Sequence, residues 1–333
     1  MVTRISIIYL ALLFSTILHA SLSERCHPLD KEALLKIKKA FNYPYILVSW
    51  DPNTDCCDWT NVVCDNVYNR IISISFSYGD LAGTIPDEIG DLPYLQNILF
   101  HKYGNLIGSI PTSIEKLTML RFLQITWTGI SGPIPAGIGN IKSLEFIDFS
   151  YNKITGTIPS SIGWLPSLGG LRLDRNELVG PIPDSFGDFQ MSDFYLYMSH
   201  NKLSGPIPTS MAKKDFSYID LSRNKLTGDP SPLFGENKRS LLIDLSRNSF
   251  SFDLTSVKFS RTLVSLDLNH NKITGSLPAE LTELKLNLFN VSYNRLCGKI
   301  PVGGNLQRFD YTAYFHNRCL CGSPLPPCSY SEI

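Results

Sequence analysis

The sequence lacks an excess of charge of either sign. Its 333 residues contain 30 Lys and Arg residues and 30 Asp and Glu residues. Such a balance is not typical of proteins that bind nucleic acid or membrane surfaces by electrostatic attraction. Hydrophobic residues make up 43% of the chain, which is enough apolar material to bury a core. We therefore expect an ordered protein with no nucleic-acid partner.

The sequence also lacks a long hydrophobic run after its N-terminus. Near the start, Arg4 precedes a mostly apolar stretch from Ile5 to Leu18, and small residues follow at positions 20 to 23. This order is typical of a secretory signal peptide. A short membrane anchor is the alternative, but the run is shorter than the about 20 residues that cross a bilayer. We assign residues 1–23 to a signal peptide and expect a secreted, soluble monomer in the extracellular space.

Motifs of catalytic and metal sites are missing as well. The sequence contains no nucleophile elbow, no P-loop, no HExxH and no paired His and Cys residues at metal-ligand spacing. Asp267 and His270 are close in sequence, but a histidine on a sheet is usually structural or simply exposed. We expect no enzymatic activity, no cofactor and no metal.

No cysteine lies in the 232 residues between Cys64 and Cys297, so the eight cysteines form two groups. Eight cysteines allow 105 pairings. An elongated middle would keep the two groups apart, because a disulfide needs Cα atoms within about 7 Å, and the adjacent Cys56 and Cys57 are poor partners for each other. Zinc is the competing interpretation, although zinc sites favour compact CxxC pairs supported by His. The pairings that we favour are Cys26–Cys56, Cys57–Cys64, Cys297–Cys319 and Cys321–Cys328.

A repeated motif fills the stretch without cysteine. It reads N-x-[LI]-x-G, usually followed by x-[IL]-P, and returns about every 24 residues. One gap of 47 residues hides a degenerate repeat in which Phe252 takes the glycine position. We therefore count ten repeats over residues 71–302. The motif glycines are Gly83, Gly108, Gly132, Gly156, Gly180, Gly205, Gly228, Gly275 and Gly298.

The pattern L-x-x-L-x-L before each motif predicts a short strand. Its alternation buries one face, and stacking of the repeats joins the strands into a parallel sheet over one continuous core. The predicted fold is an α/β leucine-rich-repeat solenoid. We expect a right-handed superhelix with a parallel β-sheet on its concave side and short 3-10 or helical segments on its convex side.

Asparagine ends most of the predicted strands. Where the strand turns inward, a side-chain amide can bond backbone groups that the turn leaves unpaired, so stacked asparagines form a ladder. The first three repeats place Gly79, Gly104 and Thr128 there instead, and we expect the ladder to be incomplete at that end. The predicted ladder residues are Asn152, Asn176, Asn201, Asn224, Asn248, Asn271 and Asn294.

Two caps flank the repeats, because a solenoid exposes apolar core at both ends. In the N-terminal cap, residues 24–70, the stretch from Pro28 to Phe41 predicts an amphipathic helix. Trp50 and Trp59 are expected to cover the first repeat, with ligand stacking as the alternative. Residues 303–333, rich in Gly and Pro, are predicted as the C-terminal cap.

The solvent-facing positions of the strands form a candidate binding surface. Aspartates alternate there with aromatic residues. Aromatic side chains anchor many protein interfaces, and aspartates attract a basic partner. A solvated sheet face with scattered tyrosines is the alternative. The predicted partner-binding residues are Phe122, Gln124, Trp127, Asp148, Tyr151, Arg172, Asp174, Tyr195, Tyr197, His200, Tyr218, Asp220, Asp244 and Asp267.

Basic residues recur beside the ladder at about one strand spacing. This spacing matches a linear polyanion such as a polyuronate, and ordinary solubilising charge is an equally good explanation. The residues of the predicted rim are Lys202, Arg223, Lys225, Arg247 and Lys272.

One N-x-S/T sequon, Asn290-Val-Ser, lies in the last repeat. It falls on a predicted concave position. We expect an N-linked glycan there.

The cap motifs and the repeats together resemble the polygalacturonase-inhibiting proteins of plant cell walls. The similarity rests on CHPLDKEALLKIKKAF, SWDPNTDCCDWTNVVCD, the LxGxIP repeats and CLCGSPLPPC, and it covers essentially the whole mature chain. The resemblance implies the same eight-cysteine arrangement and a second, short sheet beside the main one. It implies binding of fungal or insect endopolygalacturonases through the concave face in the cell wall, which would limit the breakdown of pectin (homogalacturonan).

A related antifreeze protein of carrot has the same scaffold, so ice binding is the alternative function. Ice binding favours regular arrays of small polar groups. Here the concave positions mix Asp, Tyr, Arg and Leu, and asparagine occurs only at Asn97, Asn269, Asn287 and Asn290. A soluble receptor-like decoy is a third interpretation.

Overall fold

The chain winds into a stack of coils, each of which contributes one strand to a long main sheet. The computed structural model describes residues 25–328, so the predicted signal peptide lies outside the described residues. Ten of the main strands are parallel, and the first strand of the sheet pairs antiparallel with the second. The eleven strands are Val62–Cys64, Ile71–Ser77, Asn97–His101, Phe122–Thr126, Phe146–Asp148, Gly170–Arg172, Phe194–Tyr197, Phe216–Asp220, Leu242–Asp244, Ser265–Asp267 and Leu288–Asn290.

A second set of short parallel strands follows the main strands around each coil, as the family resemblance implied. It forms two four-stranded sheets, and a further pair of strands joins the last coil to the C-terminal cap. The short strands are Gly83–Thr84, Leu106–Gly108, Gly129–Gly132, Lys153–Ile154, Val179–Gly180, Lys202–Gly205, Lys225–Gly228, Ser249–Phe250, Cys297–Lys299 and Cys319–Cys321.

The remaining side of most coils is a short 3-10 helix that begins directly after a proline. Proline ends the preceding strand and has the backbone angles of an extended residue here, so regular helix starts only after it. The 3-10 helices are Tyr45–Leu47, Cys56–Asp58, Asp87–Asp91, Thr112–Lys116, Ala136–Asn140, Ser160–Trp164, Asp184–Asp188, Thr209–Lys213, Ser231–Leu233, Ala279–Glu283, Leu306–Arg308 and Tyr311–Ala313.

One apolar core runs through the coils. Leu263, Leu266 and Leu268, from one L-x-x-L-x-L pattern, are each fully buried. In the degenerate repeat Phe252 is also buried and packs against Phe234, with 6.2 Å between the ring centroids. The leucine-rich-repeat solenoid predicted from the sequence is therefore confirmed.

The asparagine ladder is present and extends beyond the predicted residues. Asn317, in the C-terminal cap, donates to the Val291 carbonyl at 3.0 Å and accepts from the Leu296 amide at 3.0 Å. It continues the pattern by one coil. Sequence analysis did not find it because no repeat motif follows it.

The first repeats close the missing part of the ladder with other side chains. The Thr128 hydroxyl donates to Asn152 Oδ1 at 2.5 Å. One coil earlier, the buried Tyr103 hydroxyl donates to the Tyr78 carbonyl at 2.8 Å. Burial raises the pKa of Tyr103 to about 12. These bonds hold the turns of coils that have no ladder asparagine of their own.

The caps seal both ends of the core. The helix Pro28–Ala40 buries Leu34 and Ile37. Trp50 and Trp59 are buried and stacked with 5.7 Å between centroids, so both fill the cap interior and neither is free to stack on a ligand. The disulfides have the favoured pairings, which leaves no cysteine thiolate for zinc. They are Cys26–Cys56, Cys57–Cys64, Cys297–Cys319 and Cys321–Cys328.

Candidate functional site

The concave face carries a column of residues aligned in register across the ten parallel strands, which we call the central column. Each member occupies the same position in its strand, so neighbours are one strand spacing apart, about 4.8 Å. The central column consists of Ser75, Leu99, Gln124, Asp148, Arg172, Tyr197, Asp220, Asp244, Asp267 and Asn290.

The acidic members of the central column also hold the ends of their strands. Asp244 Oδ1 accepts a hydrogen bond from the Ser246 amide, two residues later, at 2.9 Å. This geometry is an Asx turn, in which a carboxylate satisfies a backbone donor that the ladder of the sheet leaves free. The same bond, at 2.9–3.0 Å, joins Asp148 to Ser150, Asp220 to Ser222, Asp267 to Asn269 and Asn290 to Ser292.

Three consecutive carboxylates, from Asp220 to Asp244 to Asp267, form the acidic part of this column. Burial, together with the neighbouring carboxylates Asp220 and Asp267, raises the pKa of Asp244 to about 6. Burial also raises the pKa of Asp267. The acidic patch is therefore only partly charged in mildly acid solution.

Arg172 interrupts the acidic column at the middle of the face. Its guanidinium lies 3.7 Å from Asp148 Oδ2 and 3.6 Å from Asp174 Oδ1, and 5.3 Å from the Tyr197 ring centroid. Asp148 and Asp174 are each only 7% exposed. Burial raises the pKa of Asp174, and Arg172 counteracts this shift. A partner on this surface would therefore touch Arg172 and Tyr197 before these two carboxylates.

A second column, which we call the turn column, consists of the residue before each ladder position; in the second coil the register places Tyr103 at that position, and the predicted Gly104 is wrong. All of its members have a left-handed backbone, with φ between +53° and +71°, and none is glycine. The left-handed turn does not depend on a ladder amide, because Trp127 adopts it before Thr128 and Tyr78 adopts it before Gly79. Its members are Tyr78, Lys102, Trp127, Tyr151, Arg175, His200, Arg223, Arg247, His270, Tyr293 and His316.

The turn column contains only aromatic, imidazole and cationic side chains, many of which stack. Trp127 and Tyr151 lie face to face with 3.7 Å between centroids, and the Arg175 guanidinium lies 5.1 Å from the Tyr151 ring. Burial lowers the pKa of His200, and the flanking Arg175 and Arg223 lower it further. The result is a neutral-to-basic ridge along one edge of the sheet.

The predicted basic rim divides into two lines in the structure. Arg223 and Arg247 are exposed members of the turn column. Lys202, Lys225 and Lys272 come after the ladder asparagines, where the chain turns into the second sheet. Lys202 Nζ is also paired with the Glu177 carboxylate at 2.8 Å. A ligand that contacts the arginines therefore follows the concave edge, and the lysines belong to the neighbouring face.

The residues two positions before the central column form a third column, which we call the first column and which is rich in aromatic residues. Tyr195 and Tyr218 are stacked with 5.1 Å between centroids. Glycine occupies this position in one strand and leaves a cleft. The first column consists of Ser73, Asn97, Phe122, Phe146, Gly170, Tyr195, Tyr218, Leu242, Ser265 and Leu288.

The structure thus places the predicted partner-binding residues in these columns, although it does not test their role. Gln124, Asp148, Arg172, Tyr197, Asp220, Asp244 and Asp267 lie in the central column. Phe122, Tyr195 and Tyr218 lie in the first column; Trp127, Tyr151 and His200 lie in the turn column; and Asp174 lies two residues beyond the central column.

Sequence analysis missed the Asx turns and the left-handed turn column. A signal for the Asx turns was present in the recurring D-[LF]-S order at the strand ends, for example Asp244-Leu245-Ser246. No residue type signals the left-handed turn column, because arginine, histidine, tyrosine and tryptophan all occupy it. The left-handed backbone recurs in coils with and without a ladder asparagine, so it follows from the turn at the end of each main strand and not from the preference of one residue type.

Comparison with known proteins agrees with this architecture. Residues 27–65 match the family described as leucine rich repeat N-terminal domain, and residues 143–165, 194–213 and 262–284 match the leucine rich repeat family. The solved structure of a plant ice-binding protein is similar, with a TM-score of 0.88 and 49% sequence identity over 92% of this chain and 99% of that chain.

Two curated relatives match almost from end to end. The chain is 58% identical to polygalacturonase inhibitor 2 of Arabidopsis thaliana over 323 residues, which cover 96% of this chain and 98% of that protein. It is 57% identical to the polygalacturonase inhibitor of Pyrus communis over 319 residues, which cover 96% and 97%. Together with the capped solenoid, this similarity shows that the chain belongs to the polygalacturonase inhibitor family of plant leucine-rich-repeat proteins, which are inhibitors and not enzymes.

Proposed function

We propose that the chain binds endopolygalacturonases of fungal or insect attackers through its concave face and thereby limits pectin degradation in the plant cell wall. The observation that carries the proposal is the set of in-register columns, in which the carboxylates of the central column lie beside the aromatic rings of the first and turn columns. The names of the relatives support the class of partner. A partner enzyme held in this concavity would be shielded from its polymeric substrate.

Rigidity is the main physical advantage of this surface. Most strand ends are fixed by a ladder amide, and five of them also by an Asx turn, so the aromatic anchors are already ordered before binding. Ordering side chains costs about 0.5–1.5 kcal/mol each when it must happen on association. A monomer can therefore bind tightly through a modest number of anchors.

Inhibition assays with a matched pair of tryptophan variants test the proposal. Trp127, 47% exposed, lies on the concave edge, and Trp164, 57% exposed, ends the 3-10 helix Ser160–Trp164 on the other side of its coil. Trp127→Ala should weaken inhibition about tenfold or more, as the loss of an aromatic anchor does. Trp164→Ala should leave it unchanged. Absence of inhibition across a broad fungal panel, or equal effects of both variants, would reject the proposal.

We also propose that the protein acts outside the plasma membrane. Its four disulfides are typical of oxidising compartments. Within residues 25–328, no helix is both long and apolar enough to span a bilayer. Recovery of the protein in wall-fluid extracts, with an N-terminus near residue 24, is the expected result.

Contact with the wall polymer is a second part of this proposal. Arg223 and Arg247 lie on the basic ridge, where aromatic and cationic groups alternate. Retention on immobilised polygalacturonate should fall in the double variant Arg223→Gln with Arg247→Gln, and high salt should abolish it. The control variant Lys213→Gln with Lys285→Gln has the same change of charge at exposed positions elsewhere. Equal retention of both variants would reject a site on the ridge.

Ice binding is the second candidate function, favoured by the similarity to the plant ice-binding protein. Small hydroxyl side chains precede the motif glycines along the second sheet, at Ser131, Thr155, Ser204 and Thr227. The concave columns are too mixed in size and charge to match a lattice. Thermal hysteresis above that of a control protein would support this function, and its absence together with unaltered ice recrystallisation would exclude it.

The glycan at Asn290 remains a proposal. Asn290 Oδ1 accepts from the Ser292 amide at 3.0 Å and from its hydroxyl at 2.7 Å, which places the sequon at the last position of the central column. A glycan there would cover the C-terminal end of the concave face. Mass spectrometry before and after glycosidase treatment should show one shift, and this shift should be absent in Asn290→Gln.

A further inference from the structure

A cleft of about 740 Å³ opens at the start of the strand Gly170–Arg172, at the edge of the concave face. Phe146 and Tyr195, from the strands on either side, form its walls. Gly169 and Gly170 form its floor, and the carboxylates of Glu145 and Asp193 lie at its rim. It is the place where the aromatic first column is interrupted.

The backbone does not require glycine at either floor position. Neither Gly169 nor Gly170 has a left-handed φ. A Cβ on Gly169 would meet nothing closer than the Glu145 carbonyl oxygen at 4.0 Å, and a Cβ on Gly170 would meet the end of the Phe146 ring at 2.7 Å. Glycine in a strand interior weakens the strand and often marks a close approach by a ligand or another chain. Gly169 therefore leaves space that a side chain would fill, whereas the Phe146 ring already covers Gly170.

An arginine of the same chain shows what fits this position. Residues 121, 145 and 169 are equivalent, since the Glu145 amide donates to the Arg121 carbonyl and the Gly169 amide donates to the Glu145 carbonyl. In the first of these coils, Arg121 donates two bonds to the Glu145 carboxylate, at 2.7 and 3.0 Å, and its guanidinium lies 5.5 Å from the Phe122 ring centroid. At Gly169 the equivalent place, between Glu145 and the next coil, is empty.

The surroundings of this empty place favour a cation. Asp193 is exposed and, among residues 25–328, forms no ion pair within 4 Å; its Oδ1 only accepts from the Ser217 hydroxyl at 3.2 Å. Of the described cations, none lies over the ring of Phe146 or Tyr195. The buried Lys214 donates an ammonium hydrogen bond to the carbonyl of Met191, which lines the cleft. Carboxylates beside open aromatic faces are the usual surroundings of a guanidinium.

We propose that this cleft receives an arginine side chain of the bound protein partner, which stacks on Phe146 and Tyr195 and pairs with Asp193, beside the Glu145 carboxylate that Arg121 already holds. The inference rests on the proposed function, because it assigns a specificity pocket to the same concave face. It selects partners with an exposed arginine at the matching place. In this proposal the first column supplies part of the arginine pocket, and the aromatic ring of Tyr195 forms one wall of that pocket.

One variant can fill the pocket from within. In Gly169→Arg the new guanidinium can reach Glu145 and Asp193 and occupy the place of the partner's arginine. Gly169→Ala is the matched control, because it adds a Cβ in open space and leaves the pocket empty. Asp193→Asn removes one charge and keeps the oxygen that accepts from Ser217. Unfolding midpoints verify that all three variants fold.

Binding to an endopolygalacturonase that the wild-type chain inhibits is measured first. Gly169→Arg should weaken binding about tenfold, Asp193→Asn should weaken it less, and Gly169→Ala should leave it unchanged. Wild-type affinity in Gly169→Arg, or an equal loss in Gly169→Ala, overturns the pocket and leaves the inhibitory function intact.

A second measurement does not depend on any polygalacturonase. Acetyl-arginine amide is titrated into the protein while the ring resonances of Tyr195, assigned with Tyr195→Phe, are followed by NMR. The uncharged isostere acetyl-citrulline amide is the control ligand. The wild-type chain and Gly169→Ala should show a saturable shift with arginine alone, and Gly169→Arg should show none. Equal shifts with both ligands, or no shift in the wild type, overturn the proposal.

Discussion

A single ladder asparagine links three segments of the chain. Asn201 Oδ1 accepts from the Leu178 amide at 3.0 Å, while its Nδ2 donates to the Leu173 carbonyl at 2.9 Å and to the Met198 carbonyl at 3.2 Å. Leu173 and Leu178 belong to the preceding coil, so one side chain holds two coils together. Only an amide has both the donors and the acceptor that these buried backbone groups need.

Replacing this amide should therefore destabilise the stack. In Asn201→Ala, buried backbone groups lose their partners, and we expect the free energy of unfolding to fall by about 1–3 kcal/mol. Asn287→Ala, at an exposed position, is the control and should change stability by less than about 0.5 kcal/mol. Chemical denaturation measures both, and similar losses would contradict a specific role of the ladder.

The acidic column should make stability depend on pH. The pKa of Asp244 is raised from 3.8 to about 6 in the folded chain, so its ionisation above pH 6 opposes folding, and this penalty disappears as the pH falls towards 4. Asp244→Asn keeps the oxygen that accepts from Ser246. We expect the variant to be more stable than the wild type by about 2 kcal/mol at pH 7 and equal to it at pH 4.

Denaturation at several pH values measures this difference. Asp229→Asn is the control, because Asp229 makes the same local bond, to the Ser231 amide, on an exposed surface. It should show no comparable gain. A pH-independent effect of Asp244→Asn would mean that the carboxylates in the column do not hinder one another.

At the scale of the element, the 3-10 helices stack through glycine and serine. Gly163 faces Ser185 of the next coil so closely that a Cβ would lie 2.3 Å from the Ser185 carbonyl oxygen. The Ser185 hydroxyl in turn donates to the Ser160 carbonyl at 2.7 Å. The same close approach recurs at Gly90, Gly139 and Gly187, and the serine hydroxyl bond recurs opposite Gly139 and Gly187. Glycine is therefore needed here for interhelical distance, unlike at Gly169.

A pair of glycine substitutions tests this distinction. Gly163→Ala forces two coils apart and should cost about 1–3 kcal/mol of stability, as overpacking does. Gly169→Ala adds its methyl group in open space and should be neutral or slightly stabilising, because it restricts the unfolded chain. Thermal unfolding of both variants provides the comparison. A loss in Gly169→Ala as large as that in Gly163→Ala would refute the packing argument.

At the scale of the whole molecule, each coil touches mainly its neighbours. The stability of a coil therefore depends on the coils next to it, and the caps stabilise the two end coils. The disulfide Cys26–Cys56 closes 30 residues of the N-terminal cap, and Cys321–Cys328 closes only seven at the other end. Longer loops gain more from closure because the unfolded chain loses more entropy.

Removing the first disulfide should therefore destabilise the N-terminal end of the stack, and removing the second should destabilise the C-terminal end. Cys26→Ser with Cys56→Ser should cost about 3 kcal/mol and raise hydrogen exchange first in the strands Ile71–Ser77 and Asn97–His101. Cys321→Ser with Cys328→Ser should cost about 1 kcal/mol less and affect the strand Leu288–Asn290. Mass-spectrometric hydrogen exchange locates the change. A uniform rise along the chain in either variant would contradict the stack of independent coils.

The sequence alone was enough to predict the solenoid, the ladder, the caps and the disulfide pairs. Each of these depends on a spacing that is repeated along the chain, as in Leu263, Leu266 and Leu268, or on the separation of two groups of cysteines. Repetition makes a local pattern recognisable in the sequence, because the residues that form the same contact recur in each of the ten repeats.

The tertiary structure decided which side chains of neighbouring coils contact one another. Arg172 covers Asp148, Arg121 pairs with Glu145, and Gly169 leaves a place open beside it. These contacts join residues about 24 positions apart and depend on how one coil is seated on the next. No pattern within a single repeat contains that alignment, because it arises only when the hydrogen bonds between coils fix their register.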